Sequence, residues 1–234
     1  MAEALVEVRD LVKRHRGAAR PVVDGLSLTV ARGETVGLVG DSGCGKSTTA
    51  KLILRLLERD GGELRFDGAN LGAARGRELR ALRRRIGLVP QHPQSSLNPR
   101  RSAGDAIAFN LRAHGVPRRE LDGRVAAALE LVGLPAAFAR RRPHELSGGQ
   151  VQRIAIARAL ATAPALMICD EPVSALDKSV QAQVLNLLAD LQRDSGVALL
   201  FVSHDPAVVE HFCDRVLPME RGRIVTPTTT GATR

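Results

Sequence analysis

Residues 40–48 read GDSGCGKST, and the reading of this stretch decides the rest of the chain. It fits the pattern G-x-x-x-x-G-K-[ST] at Gly40, Gly45, Lys46 and Ser47. Its flanks agree with the match. TVGLVG (35–40) is short and apolar, as a buried strand is, while Lys46–Leu57 places Ala50, Ile53, Leu54 and Leu57 on one face of a helix. A loop between a buried strand and a helix N-terminus turns backbone N–H groups inward around an anion. Glycines allow the close approach, and the helix end adds partial positive charge. The stretch therefore predicts a phosphate cradle formed by Gly40, Asp41, Ser42, Gly43, Cys44, Gly45, Lys46, Ser47 and Thr48. Lys46 would reach the β- and γ-phosphates, and the Ser47 hydroxyl would be a Mg2+ ligand.

A phosphate cradle needs a second, acidic element. ALMICDEP (165–172) ends an apolar strand with Asp170 and Glu171. Two adjacent carboxylates there are costly to bury without a cation. Asp170 is placed to hold Mg2+ directly or through water, and Glu171 to polarise an attacking water as general base.

Working outward, ALVEVRDLV, LSLTV, ELRFDG and RIGLVPQ read as strands, with ARGE (31–34) a turn. HPQSSLNPR (92–100) reads as a loop. Ser102–Phe138 is helical, with breaks at Gly115–Pro117 and Gly133–Pro135, and SGGQVQRIAIARALA (147–161) is helical once past its glycines. Val180, Val184, Leu187, Leu188 and Leu191 mark a further helix, VALLFV (197–202) a buried strand, and RVLPM and RIV short terminal strands. This alternation predicts an α/β fold with a mainly parallel sheet covered on both faces. Residues 1–225 are expected to form one domain, the stretch of about 95–160 a helical lobe inserted in it, and the low-complexity tail TPTTTGATR (226–234) to fray.

Composition narrows the function classes. With 44% hydrophobic residues in 234, a sizeable core can be buried, and the net charge of +9 suits a polyanionic partner. Trp and Tyr are absent and Phe occurs five times, so platforms for stacking single-stranded bases are scarce and no nucleic-acid partner is expected. Cys44, Cys169 and Cys213 are too widely spaced for a disulfide framework or a metal clip, which fits a reducing cytosol. No apolar run approaches membrane-spanning length, and the start MAEALVEVRD carries acids where a signal peptide needs an apolar core. The chain is expected to dock on a membrane rather than cross one.

GDSGCGKST, LSGGQ (146–150), CDEP, SALD (174–177) and His204 in FVSHD, in that order, resemble the ATP-binding cassette of ABC transporters from about Val6 to Val225. The resemblance implies a P-loop NTPase cassette with an antiparallel β-subdomain beside the core sheet, binding ATP and Mg2+ and hydrolysing ATP. It implies a head-to-tail dimer with a second cassette, in which Leu146, Ser147, Gly148, Gly149 and Gln150 bind the γ-phosphate held by the partner's P-loop. Gln91 matches the glutamine that senses Mg2+ and the attacking water, Asp177 the residue that crosses the dimer interface, and His204 the histidine on the γ-phosphate. Three positions depart from the pattern. His15 stands near LVKRHR where a larger adenine-stacking aromatic is expected, Pro90 precedes Gln91, and Val151 follows LSGGQ. None touches phosphate chemistry, so altered affinity rather than lost turnover is expected.

HPQSSLNPR, RRPHELSGGQ and SALDKSVQAQVLNLL are similar to the cassettes of oligopeptide, dipeptide and nickel importers. That resemblance implies two membrane permease subunits as partners, an extracytoplasmic binding protein acting through them, and a place at the cytoplasmic face of the membrane. The chain stops soon after RGRIV, where many peptide-type cassettes continue, which fits the nickel or metal–chelate type slightly better. The alternative is a non-transport ABC ATPase acting on nucleic acid or in a soluble assembly. Such proteins carry coiled-coil insertions or paired cassettes, and this sequence has neither.

Overall fold

The computed structural model describes residues 3–225. The tail 226–234, expected to fray, lies outside the described residues, as do Met1 and Ala2. The described residues form two sheets. In the first, β1 (Ala4–Lys13) pairs antiparallel with β2 (Val23–Ala31) and β4 (Gly61–Phe66), giving the order β2-β1-β4. The second contains β3 (Thr35–Val39), β5 (Ile86–Val89), β6 (Leu166–Asp170), β7 (Ala198–Ser203), β8 (Arg215–Glu220) and β9 (Arg223–Ile224) in the order β5-β6-β7-β3-β8-β9. All its pairings are parallel except β8 with β9.

The strands β3, β6 and β7 are buried along their whole length, which is why they read as continuous apolar runs rather than alternating ones. Alternation persists in where each side chain goes. Val36, Leu38, Ile168, Leu200 and Val202 join a core with Leu5, Val8 and Leu26 of the antiparallel sheet and with Leu52 and Ile53 of α1 (Lys46–Ile53). Val39, Met167, Cys169, Leu199 and Phe201 face the other way, into a core shared with the helices α4 (Ala103–Ala113), α5 (Leu121–Leu131), α6 (Gly148–Leu160) and α7 (Lys178–Ser195). α6 packs on α4, α5 and α7 and also reaches β5.

Local structure departs from the sequence reading at four places. α1 ends at Ile53 rather than Leu57, because Arg55 takes a left-handed conformation at φ 55. The 92–100 loop contains one helical turn, α3 (Pro93–Ser96), which begins on proline. The Ser95 and Ser96 hydroxyls donate to the His92 and Pro93 carbonyls there. α2 (Gly76–Arg83) and α8 (Pro206–Phe212) were not anticipated. α2 buries no residue fully, so its arginine-rich sequence carries little periodic signal, and α8 is only seven residues long.

Candidate functional site

β3 delivers its last residue, Val39, to the loop 40–45, and α1 starts directly afterwards at Lys46. The turn requires glycine at 45. Its φ is +115, and a Cβ there would lie 2.3 Å from the Val22 carbonyl oxygen. The Lys46 side chain runs back inside the loop it closes. Its Nζ donates to the Gly40 carbonyl at 2.6 Å and the Asp41 carbonyl at 2.9 Å, in a residue only 4% exposed. An ammonium so enclosed, with carbonyls on one side, suits exchange onto a phosphate oxygen.

Ser47 and Asp170 meet although they come from different elements. Ser47 Oγ, in the first turn of α1, donates to Asp170 Oδ1 at 2.8 Å, at the C-terminal end of β6. Burial pushes the Asp170 carboxyl above its ordinary range, and the Ser47 hydrogen bond only partly opposes this. A buried carboxylate paired with a neutral hydroxyl is half of a hard-oxygen donor set. It fits Mg2+, which takes one or two protein oxygens and draws the rest from water and phosphate.

The acid next to it occupies a strained backbone. Glu171 has φ 46, which a non-glycine residue adopts only when its surroundings hold it. Its N–H donates to Val202 O at 2.9 Å, and its carbonyl accepts the Ser174 hydroxyl at 3.1 Å. Two further residues converge on one oxygen of its carboxylate. Gln91 Nε2 donates to Glu171 Oε2 at 3.0 Å, and His204 Nδ1 lies 3.1 Å from the same atom. Gln91 follows β5, Glu171 follows β6 and His204 follows β7, and the P-loop follows β3. These four strands are consecutive in the sheet, so the predicted residues gather at the carboxyl ends of parallel neighbours. Ser174 was not singled out from sequence; lying three residues beyond Glu171, it was legible only as part of SALD.

The signature segment stands apart. Ser147 caps α6 in a reciprocal box: its Oγ accepts the Gln150 N–H at 3.3 Å, and Gln150 Oε1 accepts the Ser147 N–H at 3.0 Å. Gly148 and Gly149 are the first two residues of the helix rather than a turn before it. A Cβ on Gly149 would come 2.7 Å from Val180 Cγ1 of α7. Asp177 caps α7, accepting the Val180 N–H and the Ser179 hydroxyl, each at 2.9 Å. The Val180 backbone bond and then the Ser179 hydroxyl hold its carboxyl below the usual range. Among the described residues no hydrogen bond joins Leu146–Gln150 or Asp177 to the P-loop, Gln91, Glu171 or His204. His15 is exposed, in a loop whose far end, Val22, lies against Gly45.

Away from these residues, a groove of about 660 Å³ is lined by Leu56, Arg83, Ser96, Asn98, Arg101 and Phe109, among others. Leu56 and Phe109 are two of the three large apolar side chains most exposed among the described residues. Only the SSLNP segment, which supplies Ser96 and Asn98, points to this groove in the sequence.

The family model described as ABC transporter matches residues 23–174. A protein of Brucella ovis named as a peptide import ATP-binding protein is 48% identical over 224 residues, covering 94% of this chain and 71% of its own. Glutathione import ATP-binding protein GsiA of Escherichia coli is 49% identical over 95% of this chain, which spans 37% of that protein. Among solved structures, cbiO1 of Clostridium perfringens, part of the ABC transporter complex cbiONQ, superposes with a TM-score of 0.85 at 28% identity, covering 96% of this chain and 88% of that one. The ATP-binding cassette MJ0796, dimeric and bound to ADP and Pi, gives a TM-score of 0.83 at 30% identity, covering 94% of this chain and 97% of that one. With the P-loop, the paired acids and these likenesses in agreement, the chain belongs to the ABC transporter family, as an ATP-binding and ATP-hydrolysing cassette.

Proposed function

We propose that this cassette is the ATPase subunit of an importer, that it works as a head-to-tail pair with a second cassette, and that it powers uptake of peptides. The observation that carries the catalytic part is the convergence of Gln91 and His204 on Glu171 Oε2, beside the Ser47–Asp170 pair. In this reading Gly40–Thr48 wrap the phosphates of ATP, and Lys46 exchanges its loop carbonyls for the β- and γ-phosphates. His204 leaves Glu171 for the γ-phosphate, and Gln91 turns to the attacking water. Glu171 is then left with a free oxygen to take the water's proton. His15 stacks on the adenine. Ser47, Asp170 and Gln91 would hold Mg2+, which neutralises phosphate charge when bound. Leu146–Gln150 and Asp177 act on the nucleotide of the opposite cassette, and their separation from this chain's own P-loop network agrees with that role.

The names of the relatives favour a peptide cargo over nickel or a metal chelate. In this reading the chain is one domain with an inserted helical lobe, held at the cytoplasmic face by two permease subunits that receive cargo from a binding protein. Among the described residues no helix is long and apolar enough to cross a membrane. A cytoplasmic segment of a permease would enter the 660 Å³ groove, to which SSLNP contributes and whose exposed Leu56 and Phe109 need cover.

Glu171→Gln tests the catalytic core of this reading. The amide keeps the shape but takes no proton, so turnover should fall about 100-fold or more. ATP should then trap a dimer in gel filtration. A variant that still turns over removes Glu171 as base, and one that binds ATP yet stays monomeric removes the sandwich dimer.

A further inference from the structure

We propose that Asp60 is a positioning residue for the nucleotide base, fixing the segment that carries His15 against the phosphate cradle. It rests on the reading of His15 as the side chain that stacks on adenine.

Strand β1 ends at Lys13, and the chain then runs through the loop 14–22, exposed as far as Arg20, before β2 begins at Val23. Its exposed part, up to Arg20, makes no core contact, so its placement depends on how the two ends are held, and at the far end Val22 is partly buried against the core. The far end lies against the molecule's phosphate site. Val22 N–H donates to Lys13 O at 2.7 Å, closing the loop, and the Val22 carbonyl sits where a side chain on Gly45 would be. The near end is held by Asp60, which lies just before β4. Asp60 Oδ2 accepts the Arg14 N–H at 2.6 Å, and Oδ1 accepts Lys13 Nζ at 2.9 Å. Its own N–H donates to Val12 O at 2.9 Å. Three bonds from one residue thus grip Val12, Lys13 and Arg14, the three residues directly before His15.

The carboxylate is well suited to this. The Arg14 backbone N–H, and then the Lys13 ammonium, hold it below the ordinary aspartate range. Charge-assisted bonds of this kind are short and directional. The Lys13 ammonium is largely covered while Asp60 remains partly open to solvent, so the pair is an edge clamp and not a core element. His15 itself folds into a turn, its carbonyl accepting the Ala18 N–H at 3.1 Å. The path from carboxylate to cradle is therefore a hydrogen bond from Arg14 N–H to Asp60, the covalent segment from Arg14 through His15 to Val22, and the close approach of the Val22 carbonyl to Gly45. A base stacked on His15 while its phosphates lie in the cradle would span the two ends, one at Asp60 and the other at Gly45.

The test compares a nucleotide with a ligand that lacks a base. Titration calorimetry measures Kd for ATP and for inorganic tripolyphosphate in the full chain, in Asp60→Ala and in His15→Ala, with thermal unfolding as a control for folding. Asp60→Ala should weaken ATP about three- to ten-fold, as loss of about one hydrogen bond's net contribution does, and leave tripolyphosphate within two-fold. His15→Ala should show the same pattern. Asp60→Asn, which keeps one acceptor, should fall between wild type and Asp60→Ala. Equal weakening of both ligands by Asp60→Ala would mean that the whole site has loosened, and the positioning role would be lost. Weakened ATP binding in His15→Ala alone would overturn the role of Asp60 while leaving that of His15 intact. No effect in His15→Ala would overturn the stacking reading and this inference with it.

Discussion

Gly149 illustrates how one residue carries two explanations. The resemblance to ABC cassettes implies that the signature glycines bind a γ-phosphate held by a partner cassette. The structure adds a neighbour on the same chain, Val180 of α7, 2.7 Å from where a Cβ would lie. Nothing in SGGQ announces that contact, because Val180 lies on the following helix and meets Gly149 only once both helices pack. The strand, loop and helix around residues 40–48, by contrast, are legible in the sequence, since they are contiguous. The two explanations of Gly149 separate experimentally. Gly149→Ala should destabilise by about 1–3 kcal/mol through overpacking, although alanine favours a helix over glycine. Adding Val180→Ala removes the obstructing methyls and should restore the melting temperature. If ATP turnover returns with it, packing is the reason for the glycine. If the double variant is stable but inactive, close approach of the backbone to phosphate is the reason.

Among the elements, α1 shows what periodicity misses. Ala50, Ile53, Leu54 and Leu57 predict a helix through Leu57, yet it closes after Ile53. Leu56 N–H bonds back to Lys51 O and Arg55 N–H to Leu52 O, each at 2.9 Å, around a left-handed Arg55. Glycine is the usual residue at that position, so an arginine there gives no stop signal. The arginine is also buried at 5% exposure, and its Nε and Nη2 have no hydrogen-bond partner among the described residues. Only Glu58 pairs with its guanidinium, while Arg83 Nε donates to the Leu54 carbonyl at 3.1 Å and its Nη2 to the Arg55 carbonyl. Removing a poorly satisfied buried charge whose partner is solvent-exposed leaves no buried charge behind, whereas removing only the exposed partner leaves the buried one uncompensated. Arg55→Met, which keeps the stem, should therefore leave the melting temperature unchanged or raise it. Glu58→Gln should lower it. Both are read by thermal unfolding, and an Arg55→Met variant that loses more than about 2 kcal/mol would show that the guanidinium contributes more than these contacts account for.

Across the whole molecule, the kind of sheet is legible in the sequence but its order is not. Apolar runs alternating with helices point to parallel strands, yet β3 sits between β7 and β8, strands from the far end of the chain, and no local pattern encodes that choice. What joins the distant parts is partly polar. Arg215, the first residue of β8, places Nε 2.8 Å from Glu34 Oε1 just before β3, and its Nη2 donates to the Thr29 carbonyl of β2 at 2.6 Å. One guanidinium therefore ties the antiparallel sheet to the parallel one. Burial works against ionisation of Glu34, but the Arg215 hydrogen bond and the Ala31 N–H outweigh it and hold the carboxyl below its ordinary value of 4.5. A carboxyl depressed in the folded state stabilises fully above its unfolded pKa, and that contribution is lost as pH falls through the folded value. Because Arg215 is itself partly exposed, screening limits the effect to about 1 kcal/mol, or roughly 2–4 °C for a chain of this size. Arg215→Met should melt lower than wild type by that amount at pH 7, and the gap should narrow as the pH falls below about 4. The measurement is a pair of unfolding curves at each pH. A gap that does not narrow at any pH below 4.5 at which the protein still folds would assign the joint to the neutral bond with Thr29, because that bond does not titrate and the ion pair does.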